Sequence, residues 1–183
     1  MNKKTLVLAL LSSLSLTVSA ENPSFDYLDI GYSNWNLDGS SDKTDGFEFK
    51  GSLTINEFLY VAGDYTNISS FGLSVGFTTV GLGYKYNFTD TTTFFAELDY
   101  LNINPESGDS ESGFEITSGV RSMVLPKLEL KGAIEYLNTG RNDDNTSLVV
   151  GGVYSFTDTF ASYVDYKRDS DLQRWSIGLR FNF

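Results

Sequence analysis

Apolar and polar residues alternate with a period of two along most of the chain, in ten runs separated by short polar clusters. Alternation of this kind is typical of β-strands whose two faces meet different surroundings. No segment repeats apolar residues at helical spacing for more than a turn. The pattern predicts strands at 25–36, 46–55, 58–68, 76–88, 93–104, 113–124, 127–138, 146–156, 159–169 and 172–183.

A weak internal repeat indicates how these strands are connected. An acidic residue followed by Tyr closes every second strand, at Asp64-Tyr65, Asp99-Tyr100, Glu135-Tyr136 and Asp165-Tyr166. Each copy corresponds to one hairpin, so the strands form an antiparallel up-and-down meander. Because an open sheet of this length would leave unpaired edges, we predict an all-β closed barrel of ten strands, with eight strands as the alternative.

The two faces of the predicted strands differ almost completely in charge. One face is apolar, as in Phe47, Phe49, Leu53 and Ile55 of the second strand, and carries charge only at Asp26 and Arg168. The other face holds Asp29 and Lys167 together with Glu48, Lys50, Asp64, Lys85, Glu97, Asp99, Glu115, Arg121, Glu129, Lys131, Glu135, Asp165, Arg174 and Arg180.

Alternation by itself does not say which face points inward. A soluble lipocalin-like barrel would enclose the apolar face, whereas a transmembrane barrel would turn it outward. Aromatic residues favour the transmembrane barrel, because they gather at both ends of the strands as they do where a bilayer meets water. One predicted girdle, beside the longer loops, consists of Tyr32, Tyr65, Tyr100, Tyr136, Tyr166 and Trp175, and the other of Tyr86, Phe88, Phe94, Phe156, Phe160 and Phe183.

The first twenty residues have the pattern of a cleaved secretory signal peptide. A short basic start, MNKK, precedes an apolar stretch that ends in the small residues Val18-Ser19-Ala20. The stretch is short and interrupted by Ser, which makes it a poor membrane span. We therefore predict a signal peptide at 1–20 and a mature barrel domain at 21–183, exported to the cell outer membrane.

The C-terminus resembles the terminal strand of bacterial outer-membrane β-barrel proteins. Residues 176–183, SIGLRFNF, contain a Gly and alternating hydrophobic residues that close on a final Phe. The resemblance implies recognition by the barrel-assembly machinery, with Gly178, Phe181 and Phe183 as the assembly signal. Over the whole mature chain the pattern resembles the small opacity/OmpA/OmpX-like barrels of Gram-negative bacteria. Because the best-known small members have eight strands, the count of ten departs from that family.

Composition excludes several classes of function. The chain has no Cys and no His, which removes thiolate metal sites and the usual general base of outer-membrane barrel enzymes. A formal charge of −11 argues against binding nucleic acid through phosphates. A carboxylate pair such as Glu97 with Asp99, or Glu129 with Glu135, could serve in catalysis, but it equally suits ion pairing inside a barrel. We expect neither an enzyme nor a cofactor or metal site.

Two functions remain for a barrel of this kind. The first is a structural or surface-interaction role, with a lumen closed by side chains and ion pairs and with lipid and lipopolysaccharide as partners. Its basis is the acidic loops, which contain Asp38, Asp42, Asp45, Glu106, Asp109, Glu111, Asp143, Asp144, Asp169 and Asp171 against Lys43, Arg141 and Arg168. The alternative is a narrow, porin-like channel that favours cations, because acids outnumber bases on the charged face.

Overall fold

The computed structural model describes residues 22–37, 43–70, 73–140 and 144–183, and these form ten antiparallel strands. In this part of the chain, no helix is long and apolar enough to cross a membrane. The strands are β1 (Tyr27–Leu37), β2 (Lys43–Thr54), β3 (Leu59–Ser70), β4 (Leu73–Asn87), β5 (Thr92–Pro105), β6 (Glu111–Leu125), β7 (Leu128–Asn138), β8 (Asp144–Ser155), β9 (Phe160–Arg168) and β10 (Leu172–Asn182).

The strands close into a single barrel. Each strand pairs with its neighbours in the chain, and β1 also pairs with β10, from Tyr27 opposite Asn182 to Leu37 opposite Leu172. Closure gives every strand two hydrogen-bonded neighbours, which a membrane requires because lipid cannot satisfy backbone N–H and C=O groups. The predicted all-β fold and its ten strands are confirmed, and the alternative of eight strands is wrong.

The two ends of the barrel differ. At the end that we call the terminal end, β1 begins, β10 finishes, and short turns at 55–58, 88–91, 126–127 and 156–159 connect the strands. The opposite end, which we call the loop end, carries the remaining connections. There the strands run further than predicted: β2 begins at Lys43, β3 reaches Ser70 and β4 begins at Leu73. Backbone pairing continues through these polar residues, for example at Ser69 opposite Ser74, although apolar and polar residues no longer alternate there.

One predicted boundary is wrong at the terminal end. Residues 25 and 26 were predicted to start the first strand, but β1 begins at Tyr27. The Asp26 carboxylate accepts a hydrogen bond from the Thr54 backbone N–H at 2.6 Å. Phe25 is 3% exposed and packs inside the barrel. Its ring keeps the inward parity of Tyr27 and Asp29 and packs against aromatic residues inside the barrel.

The apolar face of the strands forms the outside of the barrel. Large hydrophobic side chains are exposed all round it, including Leu98 at 58% and Ile134 at 60%. Such a surface needs an apolar surrounding, which excludes the soluble inside-out barrel.

The aromatic residues of the predicted loop-side girdle also lie on the outer surface. Tyr32, Tyr65, Tyr100 and Trp175 are exposed, and Tyr136 and Tyr166 are half-buried. Two of them pair across β9 and β10, since the ring centroids of Tyr166 and Trp175 lie 4.5 Å apart. Rings in this position can anchor a barrel where a bilayer meets water.

Candidate functional site in the barrel lumen

Charged side chains fill the barrel interior. The predicted inward-facing charges that border one cavity of about 440 Å³ are Lys50, Asp64, Glu97, Asp99, Glu115, Arg121, Glu129, Lys131, Glu135, Asp165, Arg174 and Arg180. Lys167 lines the same cavity. The remaining three do not: Asp29 is bound by Arg180, Glu48 is fully buried, and the Lys85 ammonium lies 5.0 Å from the centre of the Phe25 ring.

Inward-facing glycines make room for large side chains in this narrow interior. A Cβ added at Gly178 would lie 2.6 Å from Cε1 of Tyr163, and one at Gly31 or Gly83 would overlap the ring of Tyr163 or of Tyr60. Any larger residue at these positions would displace a ring. The glycine of the predicted assembly signal therefore also has a packing role.

One side of the lumen is a network of ion pairs, which we call the paired wall. Glu48 contacts the ammonium of Lys50 at 2.8 Å and the guanidinium of Arg174 at 2.6 Å. The Tyr163 hydroxyl donates a further hydrogen bond to Glu48 at 2.7 Å. Asp165 contacts Lys50 at 2.9 Å and Lys131 at 3.1 Å. Opposite charges thus compensate each other here, as buried charges must.

Two further pairs lie near the terminal end. Arg121 holds Glu129 through two hydrogen bonds of 2.6 and 3.0 Å, and Arg180 holds Asp29 through two of 2.8 Å. A bidentate pair of this kind fixes both side chains. Glu135, which lies nearer the loop end, forms an ion pair with Lys167. Both members of the suggested catalytic pair, Glu129 and Glu135, are therefore already bound to a base in an ion pair.

The segment before β1 enters the lumen, where Phe25 meets three side chains from the strands. We call the group of Phe25, Tyr60, Phe95 and Arg121 the plug. The Phe25 ring centroid lies 4.6 Å from that of Tyr60 and 6.4 Å from that of Phe95. The Arg121 guanidinium lies 4.3 Å from the centre of the Phe25 ring and donates to the Ser24 carbonyl at 2.8 Å. Phe25 has the parity of Tyr27 and Asp29 on the charged face, so alternation turns its ring inward. Alternation does not show that this ring meets those of Tyr60 and Phe95.

A second part of the lumen wall, on β3, β5 and β6, is an acidic wall of four carboxylates, Asp64, Glu97, Asp99 and Glu115, of which Asp64 is the register partner of Lys50. None of the four makes an ion pair with a base in the described ranges. Asp99 and Glu115 stand directly opposite each other on β5 and β6. Like charges in such positions are unfavourable unless something compensates them.

The loop end of the cavity is lined by rings and polar groups. The Trp35 and Phe77 ring centroids lie 4.9 Å apart, and the Trp35 Nε1–H donates to the Ser33 hydroxyl at 2.8 Å. The exposed Asp171 also borders the cavity. Within the described ranges, no three acidic side chains are placed so that they could hold a metal ion.

Several predicted positions lie elsewhere or outside the described residues. Phe181 and Phe183 of the predicted assembly signal are exposed on the outer surface, with ring centroids 6.2 Å apart. The predicted signal peptide at 1–20 lies outside the described residues. So do the loop residues Asp38, Asp42, Arg141 and Asp143, and the side chain of Lys43.

Solved structures with a similar fold are bacterial barrels. A KdgM porin in complex with disordered oligogalacturonate matches with a TM-score of 0.51 and 16% identity, covering 85% of this chain and 99% of that one. An outer membrane channel from Pseudomonas putida F1 matches with a TM-score of 0.51 and 10% identity, covering 93% and 100%. Neisserial surface protein A matches with a TM-score of 0.45 and 18% identity, covering 87% and 98%. At these identities the likeness concerns the fold alone.

Sequence comparison gives the family. No curated protein matches the chain. A family model described as the outer membrane protein beta-barrel domain matches residues 6–156, which is more than half of the chain. With a closed ten-stranded barrel, an apolar outer surface and a charged lumen, the chain belongs to the outer membrane β-barrel domain family.

Proposed function

We propose that this outer-membrane barrel has a structural or surface-interaction role and that its lumen is sealed against ion flow. The observation that carries this proposal is the plug. Phe25 is 3% exposed and Tyr60 is 1% exposed, so both rings are packed among other side chains and narrow the interior at their level. An ion crossing the barrel would have to move Phe25 away from Arg121 and Tyr60 at once. A barrel of about ten strands leaves little space beyond its side chains.

The loop end is the surface that such a barrel would present to the cell's surroundings. Glu106, Asp109, Asp144 and Asp171 are exposed there. Divalent cations could bridge these carboxylates to the phosphates of lipopolysaccharide. Since no three described acids converge on one metal site, lipid phosphates would have to complete the coordination of such a cation.

Our proposals for export and assembly rest on the sequence pattern. We propose that residues 1–20 are removed as a signal peptide and that β10 carries the assembly signal Gly178, Phe181 and Phe183. Phe181 and Phe183 lie on the outer surface next to the chain terminus, where an assembly factor could reach them. No catalytic role is proposed, because the sequence contains no histidine.

Planar-bilayer recording tests the closed lumen. Folded wild-type protein should insert without producing conductance steps, and a heat-sensitive gel shift confirms that the preparation is folded. The variant Phe25→Ala/Tyr60→Ala should conduct, because two of the rings that fill the plug are removed. Phe156→Ala/Phe160→Ala is the matched control, since both of these rings lie on the outer surface. Steady steps from the wild-type protein would contradict the proposal.

A narrow cation-selective channel is the second candidate. The observation that favours it is the acidic wall, whose four carboxylates border the cavity without basic partners in the described ranges. Steps with cation selectivity would support it. Asp99→Asn and Glu135→Gln would then be expected to reduce that selectivity, because both residues line the cavity.

A further inference from the structure

We propose that the luminal cavity binds a linear organic cation with two or more amino groups, an aliphatic oligoamine. The acidic wall would take the ammonium groups, and apolar side chains beside it would take the methylene chain. Binding there does not require that anything crosses the plug. It goes beyond the structural or surface role by naming the chemistry of a ligand.

The charge of the lumen is compensated on one side and not on the other. Among the described residues, ion pairs engage every base bordering the cavity, namely Lys50, Arg121, Lys131, Lys167, Arg174 and Arg180. The same pairs leave the four carboxylates of the acidic wall without a basic partner. The cavity therefore presents a net negative charge to a solute, because acids outnumber bases along it and the bases are already engaged in ion pairs.

Asp99 is an independent observation that points to a cationic ligand. It is 6% exposed, it borders the cavity, and it makes neither a hydrogen bond nor an ion pair with any described residue. Its carboxylate lies over Gly81, where a Cβ would overlap it. A buried charge without a partner is costly, and proteins normally satisfy such groups. A bound cation would satisfy Asp99 and the opposing Glu115 together.

The spacing of the carboxylates fits a chain of amines better than a single metal ion. No three described acids can hold a metal ion. Glu97 and Asp99 are two positions apart on β5, a rise of about 6.8 Å. Asp99 and Glu115 are opposite each other, with Cβ atoms about 4.5–5.5 Å apart. Amines joined by three or four methylenes have separations of this order, and an alkyl amine is protonated at neutral pH.

Apolar side chains complete the site. Ala62, Phe95, Leu101 and Ala133 border the same cavity as the acidic wall. They offer contacts for methylene groups, whose removal from water favours binding. A cavity of about 440 Å³ falls within the usual range for small-molecule sites.

Calorimetric titration of the folded protein in detergent micelles with spermidine tests the proposal. Wild-type protein should bind in a saturable manner at one site. The variant Asp99→Asn/Glu115→Gln should bind at least about tenfold more weakly, because it removes two charges facing the ligand. The variant should remain folded, since neutralising opposing acids relieves repulsion, and the heat-sensitive gel shift checks this.

The matched control is Asp90→Asn/Glu57→Gln, which removes the same charge from exposed turn positions at the terminal end, outside the cavity. It should leave the affinity unchanged, and butylamine, which has one amino group, should bind at least about tenfold more weakly than spermidine. Equal weakening in the two double variants, or an unchanged affinity in the luminal one, would show general adsorption to negative charge and would overturn the proposal.

Discussion

At the residue scale, small side chains inside the barrel determine where large ones can lie. Gly83 faces the lumen on β4, and a Cβ at this position would overlap the ring of Tyr60. Tyr60 is 1% exposed and packs against Phe25, so its ring has little freedom to move. The position of the plug therefore depends on a residue that has no side chain.

We expect Gly83→Ala to destabilise the barrel by about 1–3 kcal/mol, the usual cost of overpacking an interior. Urea unfolding in lipid vesicles measures this change. Gly132→Ala is the control, because nothing lies within 4 Å of a Cβ at Gly132. Adding Tyr60→Ala to Gly83→Ala should remove the overlap, so the two changes should be less than additive. Equal losses in Gly83→Ala and Gly132→Ala would contradict this account.

At the element scale, the seam between β1 and β10 joins the two ends of the chain. Asp29 and Arg180 are register partners across it and form a bidentate ion pair. The Arg180 guanidinium also lies 3.7 Å from the centre of the Tyr27 ring. Closure therefore depends on backbone pairing and on a buried charge pair at the same place.

We expect Arg180→Met to destabilise the barrel by about 3–5 kcal/mol, because it leaves the Asp29 carboxylate buried without its partner. The double variant Asp29→Asn/Arg180→Met should recover most of that loss, since no charge remains unpaired. Equilibrium unfolding in urea, followed by the heat-sensitive gel shift, gives the free energy of unfolding of Arg180→Met, of Asp29→Asn and of the double variant. A double variant as unstable as the sum of the two single variants would show that the pair is not coupled.

At the scale of the whole molecule, the barrel has its apolar surface outside and its charges inside. Leu98 and Glu97 are neighbours on β5, yet Leu98 is 58% exposed on the outer surface and Glu97 borders the luminal cavity. Every strand repeats this division. The molecule is therefore stable only where lipid covers its outer surface.

We expect Leu98→Arg to cost about 2–4 kcal/mol in lipid vesicles, because it places a charge against the hydrocarbon. Glu97→Gln, the adjacent change on the luminal side, should leave folding and assembly intact. Urea titration of both variants in vesicles of the same lipid gives the comparison. A Leu98→Arg protein as stable as the wild type would mean that Leu98 does not face the hydrocarbon.

The sequence by itself determined the ten strands and the face on which each strand residue lies. Both follow from a period of two, which is a property of the local backbone and can be read without knowing which strands meet. Its limit appears at Phe25, whose parity turns the ring inward with Tyr27 and Asp29 but does not show that it meets Tyr60 and Phe95.

The tertiary structure alone decided which side chains meet across the lumen. Lys50 contacts Asp165, 115 residues away, and Arg121 donates to the Ser24 carbonyl, 97 residues away. Such partners depend on barrel closure, strand stagger and the length of each side chain, none of which is encoded in alternation. For the same reason, only the closed barrel distinguishes the paired wall from the acidic wall, although the sequence places all of their charges on one face.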